Sequence, residues 1–206
     1  MTRYFEYGEA EIAHLKNRDP KLGKVIERVG IIRREITPDP FEALISSIIS
    51  QQISNKAAET VWNRFILQVE EVTPSRIAAT PVETIQKCGM SSRKANYIKG
   101  IAEAAISGKI HFDQLHTLPD AEIIRQLTSL PGVGVWTAEM LLIFSLCRPN
   151  VLSFNDLAIR RGLMTLYRLN TLTREQWKEY YKRYSPYASV ASLYLWEVAH
   201  ENETGG

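Results

Sequence analysis

Apolar residues recur along this chain at three- and four-residue steps, segment after segment. Phe41, Leu44, Ile45, Ile48 and Ile49 mark one buried helical face. Asp39-Pro40 opens that helix with a carboxylate to cap its first amides, then a proline where a missing N–H costs nothing. Thr73-Pro74 and Thr80-Pro81 repeat the start signal, and Thr173 with Gln176 forms a capping box. Gly30, Gly89 and Gly108 fall where helices should stop. Alternation of apolar and polar β-branched residues is missing, and only Val151–Phe154 reads as a short extended stretch. The pattern predicts an all-α fold, a compact bundle of short helices forming one domain over residues 1–206, with 201–206 as a frayed tail. Such a bundle can fold as two lobes with a cleft between them, a division the pattern leaves open.

Composition adds little. The chain has 206 residues, 45% of them hydrophobic and 23% charged, which is ordinary for a globular protein. No apolar run approaches the ~20 residues that span a bilayer, and Met1–Asp19 does not read as a signal peptide. The two cysteines, Cys88 and Cys147, are too few for a four-cysteine iron–sulfur cluster and read as buried thiols in a reducing compartment. A net charge of +2 neither demands nor forbids nucleic acid.

The most informative stretch is Leu130-Pro131-Gly132-Val133-Gly134, between a helical pattern carrying Ile123, Ile124 and Leu127 and another carrying Ala138, Leu141 and Leu142. Gly132 can reach positive φ, and Gly134 permits close approach of another backbone. The helix that follows presents amides suited to a phosphate, and backbone amides read the position of DNA rather than its sequence. A plain helix–helix turn is the other reading of a proline–glycine pair. The full string resembles the helix-hairpin-helix DNA-binding motif, expected here over about residues 120–146.

Downstream lies Val151-Leu152-Ser153-Phe154-Asn155-Asp156-Leu157-Ala158-Ile159-Arg160-Arg161-Gly162. Hairpin, helix, proline-bearing loop, then an aspartate opening a helix resembles the order seen in helix-hairpin-helix DNA glycosylases. Gly134–Met140, Asp156–Gly162, Asp39–Leu44 and Ser50–Ala58 are together similar to the 3-methyladenine DNA glycosylase II branch, without its N-terminal sheet domain. Asn155 departs from it, standing where relatives often carry a small or acidic residue. The resemblance implies two lobes with the hairpin beside the cleft, and a base-excision repair hydrolase acting on double-stranded DNA. It would remove bases of the 3-methyladenine and 7-methylguanine type and leave an abasic site. A monomer, located wherever DNA is kept (cytoplasm or nucleus), is the accompanying expectation.

The resemblance also implies roles for residues. Asp156 is the catalytic carboxylate, because hydrolysis builds positive charge on the deoxyribose and a fixed anion stabilises it; by local sequence alone it is an ordinary helix cap. Bifunctional relatives carry a lysine two residues after the second hairpin glycine, where this chain has Trp136, so Schiff-base lyase chemistry is not expected. Trp136, Tyr184 and Tyr187 are base-pocket aromatics for a cationic base, with core packing as the alternative, and Trp62 and Trp196 read as core. The base must leave the stack; Gln51 and Gln52 resemble the insertion loop that fills the gap, Gln52 being the better wedge, unless they simply cap a polar turn. Arg93 and Lys94 are candidates for a second phosphate contact or merely a solvated helix start. No cofactor is expected for the chemistry, but Thr128, Leu130 and Val133 would offer backbone carbonyls to a sodium or potassium ion at the hairpin. Two further readings stay open: a non-catalytic DNA-binding module, and a glycosylase for oxidised or deaminated bases.

Overall fold

The computed structural model describes residues 2–204. Among them are twelve α-helices, one 3-10 helix and a single antiparallel pair of two-residue strands, β1 (Arg3–Tyr4) and β2 (Glu35–Ile36), with Arg3 opposite Ile36. The all-α expectation holds. The strand pair is an addition no residue pattern announces, and Val151–Phe154 forms no strand. No helix among the described residues is long and apolar enough to cross a membrane. The backbone divides into two compact units: residues up to Ile36 with those from Cys147 onward, and Thr37–Leu146.

The terminal unit contains α1 (Glu9–Arg18), α2 (Pro20–Val29), α10 (Leu157–Tyr167), α11 (Arg174–Tyr184) and α12 (Ala188–Thr204). Residues 201–204, expected as a frayed tail, continue α12, while 205 and 206 lie outside the described residues. Helix α10 packs directly on α12, and Gly162 is the reason: a Cβ there would stand 2.2 Å from the Leu195 carbonyl oxygen. A buried carboxylate ties the other helices together. Asp19 caps α2 through the amides of Lys21 and Leu22, both at 3.1 Å, and accepts from the Tyr167 hydroxyl and from Arg183 Nη1. A buried charge persists only when paired and hydrogen-bonded in this way.

The central unit contains α3 (Pro40–Ser50), α4 (Asn55–Val69), α5 (Pro74–Ala79), α6 (Val82–Lys87), α7 (Ser92–Ile106), α8 (Asp120–Thr128) and α9 (Val135–Phe144). In α3 the five apolar positions of the sequence pattern are the five buried residues, and the Asp39 carboxylate accepts the Glu42 amide at 2.8 Å. In the terminal unit, Thr173 forms the expected capping box with Gln176 at the start of α11. Thr80 behaves differently: it ends α5, its hydroxyl donates back to the Arg76 carbonyl at 2.8 Å, and α6 begins after Pro81 with no side-chain cap.

Two helix ends in this unit are closed from afar. Lys94 on α7 donates to the carbonyls of Ile49 (2.7 Å) and Gln51, and Lys99 donates to those of Ala78 and Thr80 (2.9 Å). The last carbonyls of α3 and α5 thus find ammonium donors where no glycine cap is available.

Candidate active site

Helices α8 and α9 flank the hairpin as the sequence motif predicts. The turn closes through the Val133 amide, which donates to the Leu130 carbonyl at 3.2 Å. Gly132 sits at φ +83°, and a Cβ on it would lie 2.2 Å from a carbon of the Tyr97 ring, so glycine is required twice over. Its carbonyl accepts Nε2 of Gln51 at 3.1 Å. Gly134 caps α9 with no side chain, and a Cβ there would meet nothing within 4 Å. A helix N-terminus without a side-chain cap and with open space beside it is chemically an anion site. Val135 and Trp136 stand exposed at its start, whereas the Val133 side chain is buried.

The turn between α3 and α4 carries Gln51 and Gln52. Gln52 is exposed and held at φ +58°, a left-handed conformation that costs a non-glycine residue. Gln51 is half-buried and spends its amide on the hairpin. Arg93 is exposed in the first turn of α7 and able to meet a phosphate. Lys94 is not: its ammonium is engaged by the two carbonyls that end α3, and burial lowers its pKa from the ordinary lysine value. The expectation of a phosphate contact at Lys94 is corrected accordingly.

In the terminal unit, Asp156 caps α10 and is 6% exposed. Its Oδ1 accepts the Ile159 amide at 2.8 Å and the indole N–H of Trp196 at 3.2 Å. The approach to Asp156 is pinned to α12 by serines rather than by strand pairing. Ser189 Oγ accepts the Val151 amide at 2.9 Å, and Ser192 Oγ donates to the Val151 carbonyl at 3.1 Å. Arg160 and Arg174 both lie over the ring of Phe154, which anchors the turn just before the aspartate.

The aromatics divide. Trp136 keeps 41% of its surface exposed. Tyr187 is half-buried and edge-on to His14, with ring centroids 5.2 Å apart. Tyr184 is 0% exposed, its hydroxyl bonded to Tyr167 at 2.9 Å and its ring inside the unit. No ring face is left for a base, so its placement in a base pocket is corrected to a core role. Trp196, read as core, instead touches the carboxylate; no local pattern could have signalled that, since the contact spans 40 residues of chain. Tyr97, which no sequence feature singled out, seats the hairpin glycine. Cys88 is buried as expected but Cys147 is exposed. Among the described residues no group of three or more His, Cys, Asp or Glu is placed to hold a metal ion.

With this geometry in view, comparison with known proteins defines the class. Residues 45–186 match the family model of the HhH-GPD superfamily base excision DNA repair proteins. The chain belongs to this superfamily. It is 37% identical to DNA-3-methyladenine glycosylase 1 of Schizosaccharomyces pombe over 93% of this chain and 87% of that protein. The crystal structure of a DNA-3-methyladenine glycosidase from Bacillus halodurans superimposes with a TM-score of 0.86 at 34% identity, covering 98% of this chain and 94% of the other. The S. pombe glycosylase Mag1, solved in complex with abasic DNA, gives 0.81 at 36% identity over 92% and 96% of the two chains.

Proposed function

We propose that residues 1–206 act as a single, monomeric DNA glycosylase that hydrolyses the N-glycosidic bond of alkylated bases in double-stranded DNA and leaves an abasic site. The observation that carries this reading is Asp156, buried and held at the start of α10 by the Ile159 amide and the Trp196 indole, in a chain of this repair superfamily. The names of the three relatives above, 3-methyladenine DNA glycosylases or glycosidases, support alkylated purines as the substrate class.

The chemistry follows from charge. A 3- or 7-methylated purine is cationic and departs neutral when the bond from C1′ to the base nitrogen breaks, so no general acid is needed. Positive charge moves to the sugar, where the Asp156 carboxylate stabilises it. Water then bonds to C1′, and its proton passes to the carboxylate or to solvent. Trp136 offers an electron-rich face to the cationic base, and Tyr187 is a second candidate. Gln52 enters the stack as the base leaves, while the α9 N-terminus at Gly132–Gly134 and Arg93 hold phosphates.

A sodium or potassium ion at the hairpin belongs to the same proposal. Thr128 closes α8, where the last carbonyls lie beyond any intrahelical amide, and the Leu130 carbonyl has one lone pair left after accepting Val133. Together with that of Val133, these backbone carbonyls would hold a monovalent cation, whose positive charge would favour a DNA phosphate at the hairpin.

The test is product analysis on methylated duplex DNA. The expected products are free methylated base and alkali-labile sites, with no strand cleavage before alkali and no borohydride-trapped protein–DNA adduct. Bound DNA without released base would leave only a DNA-binding module; a trapped adduct would contradict the monofunctional mechanism.

A further inference from the structure

Lys94, Gln51, Tyr97 and Gly132 form one connected assembly inside the central unit. Lys94 and Tyr97 lie three residues apart on α7, hence on one face of that helix. The Lys94 ammonium grips the carbonyls of Ile49 and Gln51, which fixes the end of α3 and the entry to the Gln51–Ser54 turn. From that turn the Gln51 side chain reaches the Gly132 carbonyl at 3.1 Å. The Tyr97 ring occupies the space against Gly132 that any larger residue would need. A single helix face thus holds both the turn that carries Gln52 and the hairpin, and Gln51 joins the two.

We propose that Lys94 is a positioning residue for base extrusion: by locking α3's end and, through Gln51, the Gly132 hairpin, it fixes the distance between the Gln52 wedge and the phosphate anchor. This rests on the roles proposed above for Gln52 and the hairpin. Pushing a side chain into the stack while the backbone slides gains nothing, so wedge and anchor must share one rigid frame. A half-buried ammonium is well suited, because its loss takes the donor from two helix-end carbonyls. The strain at Gln52 is held by the same frame. Partial burial lowers the Lys94 pKa from the ordinary lysine value, in keeping with an ammonium partly withdrawn from solvent.

The experiment compares Lys94→Met and Lys94→Arg with wild type in three measurements. The first is the salt dependence of binding to undamaged duplex. A lysine on a phosphate contributes close to one unit of the slope of log K against log salt; Lys94→Met should leave that slope unchanged, and a fall of about one unit would overturn the proposal. The second is single-turnover release of 7-methylguanine opposite cytosine and opposite an abasic gap. Lys94→Met should lose roughly ten-fold or more against cytosine, the scale of one charge-assisted hydrogen bond, and far less against the gap, where unpairing is already done. Equal losses on both would overturn it. The third is amide hydrogen exchange in the DNA-free protein. Exchange should rise in residues 51–54 and 131–134 together, and a rise in the first segment alone would break the proposed link. Lys94→Arg, still able to donate to both carbonyls, should restore most of each property. If wild type releases no base, the glycosylase reading fails, while the salt slope and the exchange pattern still decide the role of Lys94.

Discussion

A single carboxylate oxygen, Oδ1 of Asp156, takes two N–H donors from different helices, Ile159 of α10 and Trp196 of α12. Two bonds from different directions hold the side chain in one orientation, which is what a group stabilising charge at a fixed point requires. The consequence is testable at Trp196. Trp196→Phe keeps a ring in place, leaves the helix cap intact and removes one donor. Base release should fall about ten-fold, since one hydrogen bond to a charged group is worth ~1.5 kcal/mol or more, while the thermal midpoint moves by only a few degrees. Unchanged release with a lowered midpoint would assign Trp196 to packing alone. The sequence made Asp156 legible as a cap and, by its place after Leu130–Gly134, as a candidate catalytic carboxylate. It could not reveal Trp196, because only the fold joins residues 40 positions apart. Tyr184 failed for a related reason: an aromatic residue carries no mark of which way its ring faces, and here it faces the Asp19–Tyr167–Arg183 cluster.

At the scale of elements, α10 is the beam that carries the carboxylate. It is fixed at its start through Asp156, at its middle by the contact of Gly162 with the Leu195 carbonyl, and at its end by Tyr167, which donates to buried Asp19. Gly162→Ala places a methyl group against a backbone atom that cannot rotate away. Helix α10 must then separate from α12, at a cost of ~1–3 kcal/mol for an overpacked core, and Asp156 moves away from Trp196. A lower thermal midpoint together with reduced base release is expected; a variant with wild-type stability and activity would show that the close approach is unimportant. Helices with a strong period and local cap, α3 above all, were readable from residues alone. Thr80 reads as a helix start from its Thr-Pro pair but ends α5 instead, because the same pair serves as well to stop one helix as to open the next. The ends of α3 and α5 were invisible because their caps, Lys94 and Lys99, come from α7.

For the whole molecule, the all-helical class was legible in the three- and four-residue period, but the division into two units was not. The chain leaves the terminal unit at Ile36 and re-enters at Cys147, and neither crossing carries the glycine- or serine-rich composition that marks a linker. The two-residue strands are too short for any alternation to show. Asp156 is the residue proposed to turn this DNA-binding fold into a hydrolase. Asp156→Asn tests that role most directly, because asparagine still caps α10 and still accepts the Trp196 N–H while losing the charge. On methylated duplex DNA, wild type should release free methylated base, and Asp156→Asn should bind that DNA with similar affinity yet release base ~10²–10³-fold more slowly, the usual scale for losing one transition-state electrostatic contact. Equal release rates for the two proteins would contradict the account.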